Sequence, residues 1–454
     1  ARLMVRKFVG LLLLGFLHSL TSLAGPPEAG QAPILQLQEA IEIALESNHN
    51  LKISTAGVQL TEAAAREAHA PLLPKLEFTE LMSRSTNPAL VFSQLLNQEA
   101  FKQEYFDVDF LNQPDATNNF TSRLSVYQPL WAGGRLRGGE EAAGDRHEAA
   151  VSRRERTRQQ VIHEIVKAYS GAIQARAHLA VALEARETAR AHVKLAADLR
   201  DAGLVVESDL LSARVRESEL EELVIAARGA LEVADASLNL VMGRPQSVPV
   251  SLPTEIDTDS GPPADLDDTE SLIARALLER PDLAAAHHQL DATEWSVRRA
   301  SSGYKGDLGV LGAFEANDEN FIGASGTNWT VMATFRISIY DGGDTRARVA
   351  QAKQGHRQLE LTRELLEEEI ALEVRRASTG YSTAQQRLVE TRKAVQLARE
   401  SLRMIEDRYQ EGLTPLVELL EAEDALTRAR TREVAARRDL FVARSGLDLA
   451  VGRL

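Results

Sequence analysis

The chain has 454 residues, enough for two or three ordinary domains, with 26% charged and 44% hydrophobic residues. That balance excludes a disordered polymer and a multi-span helical membrane protein, and aromatics at only 5% argue against large globular cores. Acids outnumber bases by 66 to 52, which leaves no basic nucleic-acid surface, and the absence of cysteine excludes disulfides, thiolate metal sites, a cysteine nucleophile and a lipidated N-terminal cysteine.

The N-terminus comes first. Arg6 and Lys7 precede an apolar run from Phe8 to Leu17, and Ser22-Leu23-Ala24 then offers small residues where a signal peptidase reads. This layout predicts a secretory signal peptide over 1–24, with Met4 as the natural start. Cleavage after Ala24 removes Arg2, Arg6 and Lys7 and no acid, so the net charge goes from −14 to −17. No later stretch holds 18 uninterrupted apolar residues, so the remainder is expected to be either soluble outside the cytoplasm or a β-barrel.

Proline then marks out the helices. None lies between Pro129 and Pro245, and after Pro281 only Pro415 remains. Proline breaks helix interiors, and the proline-free stretches are rich in Ala, Leu, Glu, Arg and Gln. Four long helices are predicted at roughly 140–201, 206–242, 345–410 and 415–450. The first is about 90 Å long at 1.5 Å per residue, a coiled-coil rod rather than a globular helix. Leu388, Val395, Leu402 and Tyr409 recur every seven residues, accompanied by Ala398 and Ile405. After the turn, Leu419, Leu426, Leu440 and Leu447 share one register and Ala422, Ala429, Ala436 and Ala443 the other. Leucine opposite alanine lets helices approach closely in a left-handed supercoil.

The chain is also written twice. Gly203-Leu204 corresponds to Gly412-Leu413, and the same offset pairs Leu231 with Leu440, Leu238 with Leu447 and Gly243-Arg244 with Gly452-Arg453. It also pairs Trp131-Ala132-Gly133-Gly134 with Tyr340-Asp341-Gly342-Gly343. Ala44-Leu45 and Asn50-Leu51 match Ala276-Leu277 and Asp282-Leu283 at a different offset. A first repeat over 25–244, a Pro-, Asp-, Ser- and Thr-rich linker over 245–265 and a second repeat over 266–454 follow. Each repeat reads helix, strand pair, long helix, tight turn, long helix.

Within the strand pairs, about 75–129 and 307–339, the period drops to 2. Trp329, Val331, Ala333, Phe335, Ile337 and Ile339 alternate with Thr330, Met332, Thr334, Arg336 and Ser338. Phe120, Leu124 and Val126 alternate with Thr121, Arg123 and Ser125. Leu76 and Phe78 open a weaker strand, and Leu308, Val310, Gly312 and Phe314 another. Strands of about ten residues suit a tilted membrane strand, but four cannot close a barrel, so three chains are expected to supply twelve. The polar connection from about Ser85 to Asn119, with scattered aromatics, is expected to face the exterior. The shorter Ala316–Thr327 connection is Gly/Asn-rich, and the glycine pairs after the second and fourth strands permit a sharp strand-to-helix transition.

These features together resemble the TolC-like outer-membrane efflux protein family, over essentially the whole chain beyond residue 24. The most specific are the two turn motifs, Gly203-Leu204-Val205-Val206-Glu207-Ser208-Asp209-Leu210-Leu211 and Gly412-Leu413-Thr414-Pro415-Leu416-Val417-Glu418-Leu419-Leu420. The resemblance implies a mainly α fold with a β-barrel segment: a homotrimer with a 12-stranded barrel in the outer membrane of a Gram-negative bacterium and a 12-helix tunnel across the periplasm. It implies a periplasmic membrane-fusion adaptor and an inner-membrane pump as partners, outer-membrane lipid around the barrel, no nucleic acid and no cofactor. By the same resemblance, Gly203, Leu204, Gly412 and Leu413 form the adaptor-docking tips. Ser208 or Thr414 is expected to cap the following helix, with Pro415 in its first turn. Glu418 and Glu421, three apart on one helix face, match the acidic residues that narrow the periplasmic entrance. Asp209 and Tyr409 match partners of an arginine that ties the entrance closed, but this chain has Thr414 in the arginine's place.

The function expected is a passive exit duct for drugs, metals or other solutes, in efflux or type I secretion. The alternative, a periplasmic coiled-coil adaptor or scaffold, leaves the duplicated strand pairs unexplained. An enzyme is not expected. His163-Glu164 and His287-His288 are adjacent on helices, where side chains point about 100° apart and form no metal clamp. Gly-x-Ser-x-Gly and His-Glu-x-x-His are both missing.

Overall fold

A computed structural model describes residues 34–203, 205–256, 268–411 and 413–454. The expected signal peptide and residues 257–265 of the expected linker lie outside the described residues. Two short helices, α1 (Leu37–Ser47) and α2 (His49–His69), lead through a 3-10 turn into strand β1 (Lys75–Ser85). Helices α3 (Pro88–Asn97) and α4 (Val108–Asn112) follow, then β2 (Thr117–Trp131). The first hairpin is α5 (Arg135–Asp201) and α6 (Glu207–Met242). The second half repeats the plan with α7 (Thr269–Glu279), α8 (Pro281–Ser301), β3 (Asp307–Asp318), β4 (Gly326–Arg336), α9 (Asp344–Gln410) and α10 (Leu416–Val451).

The duplication holds to the residue. Both ends of α5 and α6 map onto α9 and α10 at an offset of 209. Both ends of α1 and α2 map onto α7 and α8 at 232. Each 67-residue rod spans about 100 Å. The 36-residue helices α6 and α10 flank its far half, and the 21-residue helices α2 and α8 flank the half nearer the strands. Gly133-Gly134 and Gly342-Gly343 all have positive φ, between 60° and 92°, so the chain turns from strand into rod without the Cβ clash another residue would meet.

Matching cores hold the two halves. In the first, α1 presents Ala40 and Ala44 to Val161, Ile165, Leu238 and Met242. In the second, Leu272 and Ala276 meet Ile370, Val374, Leu447 and Val451 at the equivalent positions. Nearer the far end, Val395, Leu426 and Ala429 form a further buried layer, as the seven-residue spacing predicts.

The four strands form one antiparallel sheet in the order β1-β2-β3-β4. Register places Phe78, Leu124, Phe314 and Trp329 in one row and Leu76, Val126, Gly312 and Val331 in the next. Directly opposed residues share a face, so these two rows form an exposed apolar band, with Trp329 at 75% accessibility, and the same face turns polar beyond it at Glu80, Ser122 and Thr327. The other carries Thr79, Arg123, Glu315 and Thr330, with Arg123 and Glu315 paired at 2.5 Å. One detail differs from expectation. β4 stops at Arg336, because its partner β3 begins at Asp307, opposite that residue, which leaves Ile337 and Ile339 outside the ladder. The long connection after β1 holds α3 and α4, and its aromatics gather as Phe92, Phe101, Tyr105, Phe106 and Phe110.

Candidate functional site

Each hairpin reverses over a few residues at the end farthest from the sheet. In the first turn Gly203 has a φ of +74°, and its N–H donates to the Arg200 carbonyl at 2.9 Å, closing the end of α5. Arg200 then straps the turn by pairing with Asp201 at 2.6 Å and Glu207 at 3.1 Å. In the second turn the Leu413 N–H donates to the Arg408 carbonyl at 2.8 Å. Leu204 and Gly412 lie outside the described residues. Both turns expose apolar side chains, Val206 at 62% and Leu413 at 64%. The expected caps are not made. Val206 and Pro415 occupy the N-cap positions of α6 and α10 without a side-chain cap bond, so Pro415 precedes the first turn. Ser208 lies inside α6, and the Thr414 hydroxyl donates to the Glu418 carboxylate instead of accepting from the backbone.

Behind the tips the two hairpins share a core of Ala196, Leu210, Ala213, Tyr409, Leu416 and Leu419. A cleft of about 810 Å³ opens beside it, lined by Leu199, Val205, Asp209, Tyr409, Leu413 and Thr414 among others. Burial pushes the Tyr409 phenol above its ordinary pKa, and the Asp209 carboxylate adds to the effect. The Tyr409 hydroxyl is buried with no hydrogen-bond partner. The structure thus brings Asp209, Tyr409 and Thr414 to one cleft, with Glu418 tied to its rim through Thr414. Glu421 is exposed on the helix beyond.

Ionic contacts that periodicity does not reveal tie the hairpins together above this cleft. His192 on α5 is 8% exposed, and its Nε2 meets the carboxylate of Glu423 on α10. The close contact with the Glu423 carboxylate holds the imidazole above its ordinary pKa against the opposing effect of burial. Arg216 on α6 reaches Asp424 on α10 at 2.7 Å, and Arg430 reaches Glu184 at 2.7 Å. His192 is one of four histidines on its helix and gives no sequence signal of such a pair, because its partner is 231 residues away.

The histidine pairs considered from sequence serve separately. His163 Nδ1 lies 3.0 Å from the Ser445 hydroxyl. His288 comes within 4.8 Å of Asp145 and Asp291, a grouping across α5 and α8 that neighbouring positions in the sequence do not reveal. Among the described residues no helix is long and apolar enough to cross a membrane.

Comparison with known proteins agrees with this architecture. The family described as "Outer membrane efflux protein" matches residues 40–244 and 272–453. Among similar proteins, outer membrane efflux protein BepC of Brucella suis biovar 1 is 22% identical over 436 residues, covering 95% of this chain and 89% of BepC. Protein CyaE of Bordetella pertussis is 27% identical over 451 residues, covering 94% and 86% of the two chains. Among solved structures, CusC superposes with a TM-score of 0.80 at 20% identity over 92% of each chain. The CmeC outer membrane channel of Campylobacter jejuni gives 0.75 at 19% identity, covering 92% of this chain and 85% of CmeC. At such identities the superpositions establish the fold.

Proposed function

Because the chain belongs to the outer membrane efflux protein family, we propose that three copies form a passive exit duct, a 12-stranded barrel in the outer membrane continued by a 12-helix periplasmic tunnel. The observation that carries this reading is the sheet. β1 and β4 are unpaired edges, and Leu76, Phe78, Leu124, Val126, Phe314, Trp329, Val331 and Phe335 make an exposed apolar band on one face. In hydrocarbon every backbone polar group needs a partner, so such a sheet is complete only when β4 of one copy pairs with β1 of the next. The apolar face then meets lipid, and the face with Arg123 and Glu315 lines water.

The tips Gly203, Leu204, Gly412 and Leu413 dock a periplasmic adaptor, and the adaptor links the duct to an inner-membrane pump. The exposed Val206 and Leu413 supply apolar contact for that docking. Asp209, Tyr409, Glu418 and Glu421 form the periplasmic entrance, where threefold repetition stacks acidic rings that favour cations. With Thr414 at the arginine position, the Thr414–Glu418 contact and the ionic ties between hairpins hold the entrance narrow. The duct performs no reaction and takes its energy from the pump. Relatives bear names as different as alkaline protease secretion protein AprF and cation efflux system protein CusC, so we assign cargo choice to the pump.

The test is the native mass of protein extracted from outer membranes in mild detergent, corrected for bound detergent. Three chains per particle are expected. A single chain, or recovery from the periplasm without detergent, overturns the duct and favours a coiled-coil scaffold.

A further inference from the structure

Helix α3 lies on the wrong side of the sheet for a loop that merely faces outward. It sits at the strand ends remote from the rods, and its polar contacts go to the polar face. Gln94 donates to the Ser83 hydroxyl at 2.8 Å. Gln98 donates to the Asn118 carbonyl and to Asn119 Oδ1, both at 2.8 Å. Asn119 in turn donates to Asn317 Oδ1 and to the Thr121 hydroxyl, so the network crosses from β1 to β3 on that face.

Gly326 gives an independent sign of the same placement. It opposes Asn317 in the ladder, so a side chain there would share the polar face. A Cβ at Gly326 would lie 2.0 Å from the Asn97 carbonyl oxygen. The end of α3 therefore rests directly on the backbone of β4. The helix is firmly framed: Asn87 caps it through Leu90 N, Pro88 occupies its first turn, and Glu99 ends it with a φ of +54°.

The helix buries one stripe against this surface, Val91, Gln94, Leu95 and Gln98, none more than 6% exposed. Ala89, Ser93 and Leu96 lie on the opposite side, Leu90 flanks them, and all four are exposed. Among the described residues nothing covers that side.

Barrel dimensions bound the space left beside it once three chains close. Twelve strands about 4.8 Å apart and tilted about 40° give a barrel of roughly 12 Å backbone radius. A helix with its side chains is about 10 Å thick. Three such helices against the inner wall leave a gap of only about 2 Å in radius.

Resting on the trimeric duct reading above, we propose that the three α3 helices converge on the axis through Ala89, Ser93 and Leu96 and shut the exterior mouth. The occupant of each exposed stripe is the same stripe from the other two copies. Cargo leaves only when these helices are displaced, so the duct has a closure at its exit in addition to the entrance at the tips. A narrow ring that includes leucine also excludes water, which blocks ions at rest.

The chain has no cysteine, which permits a direct test. Ser93→Cys and Leu96→Cys are made singly, and outer membranes are treated with a short bifunctional maleimide. Native mass is measured in parallel, and Phe78→Cys on the apolar face serves as a reference. The expected result is conversion of at least half of the Ser93→Cys and Leu96→Cys protein to covalent dimers, with Phe78→Cys uncoupled. Trimers that do not cross-link at either α3 position overturn the closed mouth and leave the duct intact. Equal coupling at Phe78→Cys overturns it as well, since chance encounters then explain the dimers. A monomeric native mass overturns the duct reading and this inference together.

Discussion

His192 is a histidine nine-tenths buried between two hairpins, and its partner decides its charge. The Glu423 carboxylate raises its pKa, with Glu406 adding to the effect. A histidine with a raised folded pKa binds its proton more tightly when folded. Its stabilising contribution is therefore complete below the unfolded value of about 6.5 and fades as pH rises through the raised folded value. Replacing His192 with Gln is expected to lower the melting temperature at pH 6 and to have much less effect at pH 9. Thermal unfolding of the detergent-solubilised protein across that range checks this; an equal loss at both pH values removes the charge from the explanation. Arg280 is a contrasting residue: its side chain is 3% exposed and its bonds to Asp282, Glu373 and the Ala450 carbonyl fasten α7 and α8 to both long helices of the second hairpin. That is a structural buckle with no expected pH dependence near neutrality, because arginine stays charged.

At the scale of elements, periodicity carries most of what a sequence can tell. The rods begin and end within about five residues of where the proline-free stretches and the leucine–alanine spacing put them, because a seam about 100 Å long repeats its signal many times. The outward strand residues were equally legible, since register is set by alternation. Helix α3 was not. Ten residues give under three turns of pattern, and its buried stripe mixes Val91 and Leu95 with Gln94 and Gln98. Asn87 followed by Pro88 is the one local mark of its start, a cap and a first-turn proline. The proposed entrance was only partly legible. Asp209, Tyr409 and Thr414 meet in one cleft, and the Thr414–Glu418 contact is a local pair four residues apart, but the His192–Glu423 pair depends on packing between hairpins, which no spacing encodes. The tips offer the element-scale prediction. Leu413 is mostly exposed and its side chain holds no core, so Leu413→Arg should leave trimers and melting temperature unchanged. Adaptor-dependent efflux should fall several-fold, read as drug sensitivity in cells that rely on this duct. Unaltered sensitivity would take Leu413 out of the docking surface.

At the scale of the whole molecule, the two faces of the sheet make opposite demands on the same substitution. Val331 stands on the apolar face and Thr330 on the polar one, one residue apart. An arginine against lipid costs about 2–4 kcal/mol near the membrane midplane, whereas one facing water costs little. Val331→Arg is expected to reduce the protein recovered from outer membranes sharply, and Thr330→Arg to leave recovery near wild type. Equal recovery of the two would mean that neither face meets hydrocarbon. The same assembly explains why a chain with few aromatics needs no large globular core: most of its burial lies along helix seams and, once assembled, between copies.

The two repeat offsets hold one more consequence. Elements before the strand pairs repeat at 232 and the long hairpins at 209, so the first half carries 23 residues that the second lacks, and they fall between β1 and β2, where α3 sits. A trimer built from these chains is nearly sixfold along its rods, because each chain contributes two equivalent hairpins. At the outer mouth it is only threefold, since one insertion per chain breaks the equivalence. A cargo travelling outward thus leaves a passage of high rotational order for one of half that order, and any ligand that recognises the exterior rim will count three sites on it, never six.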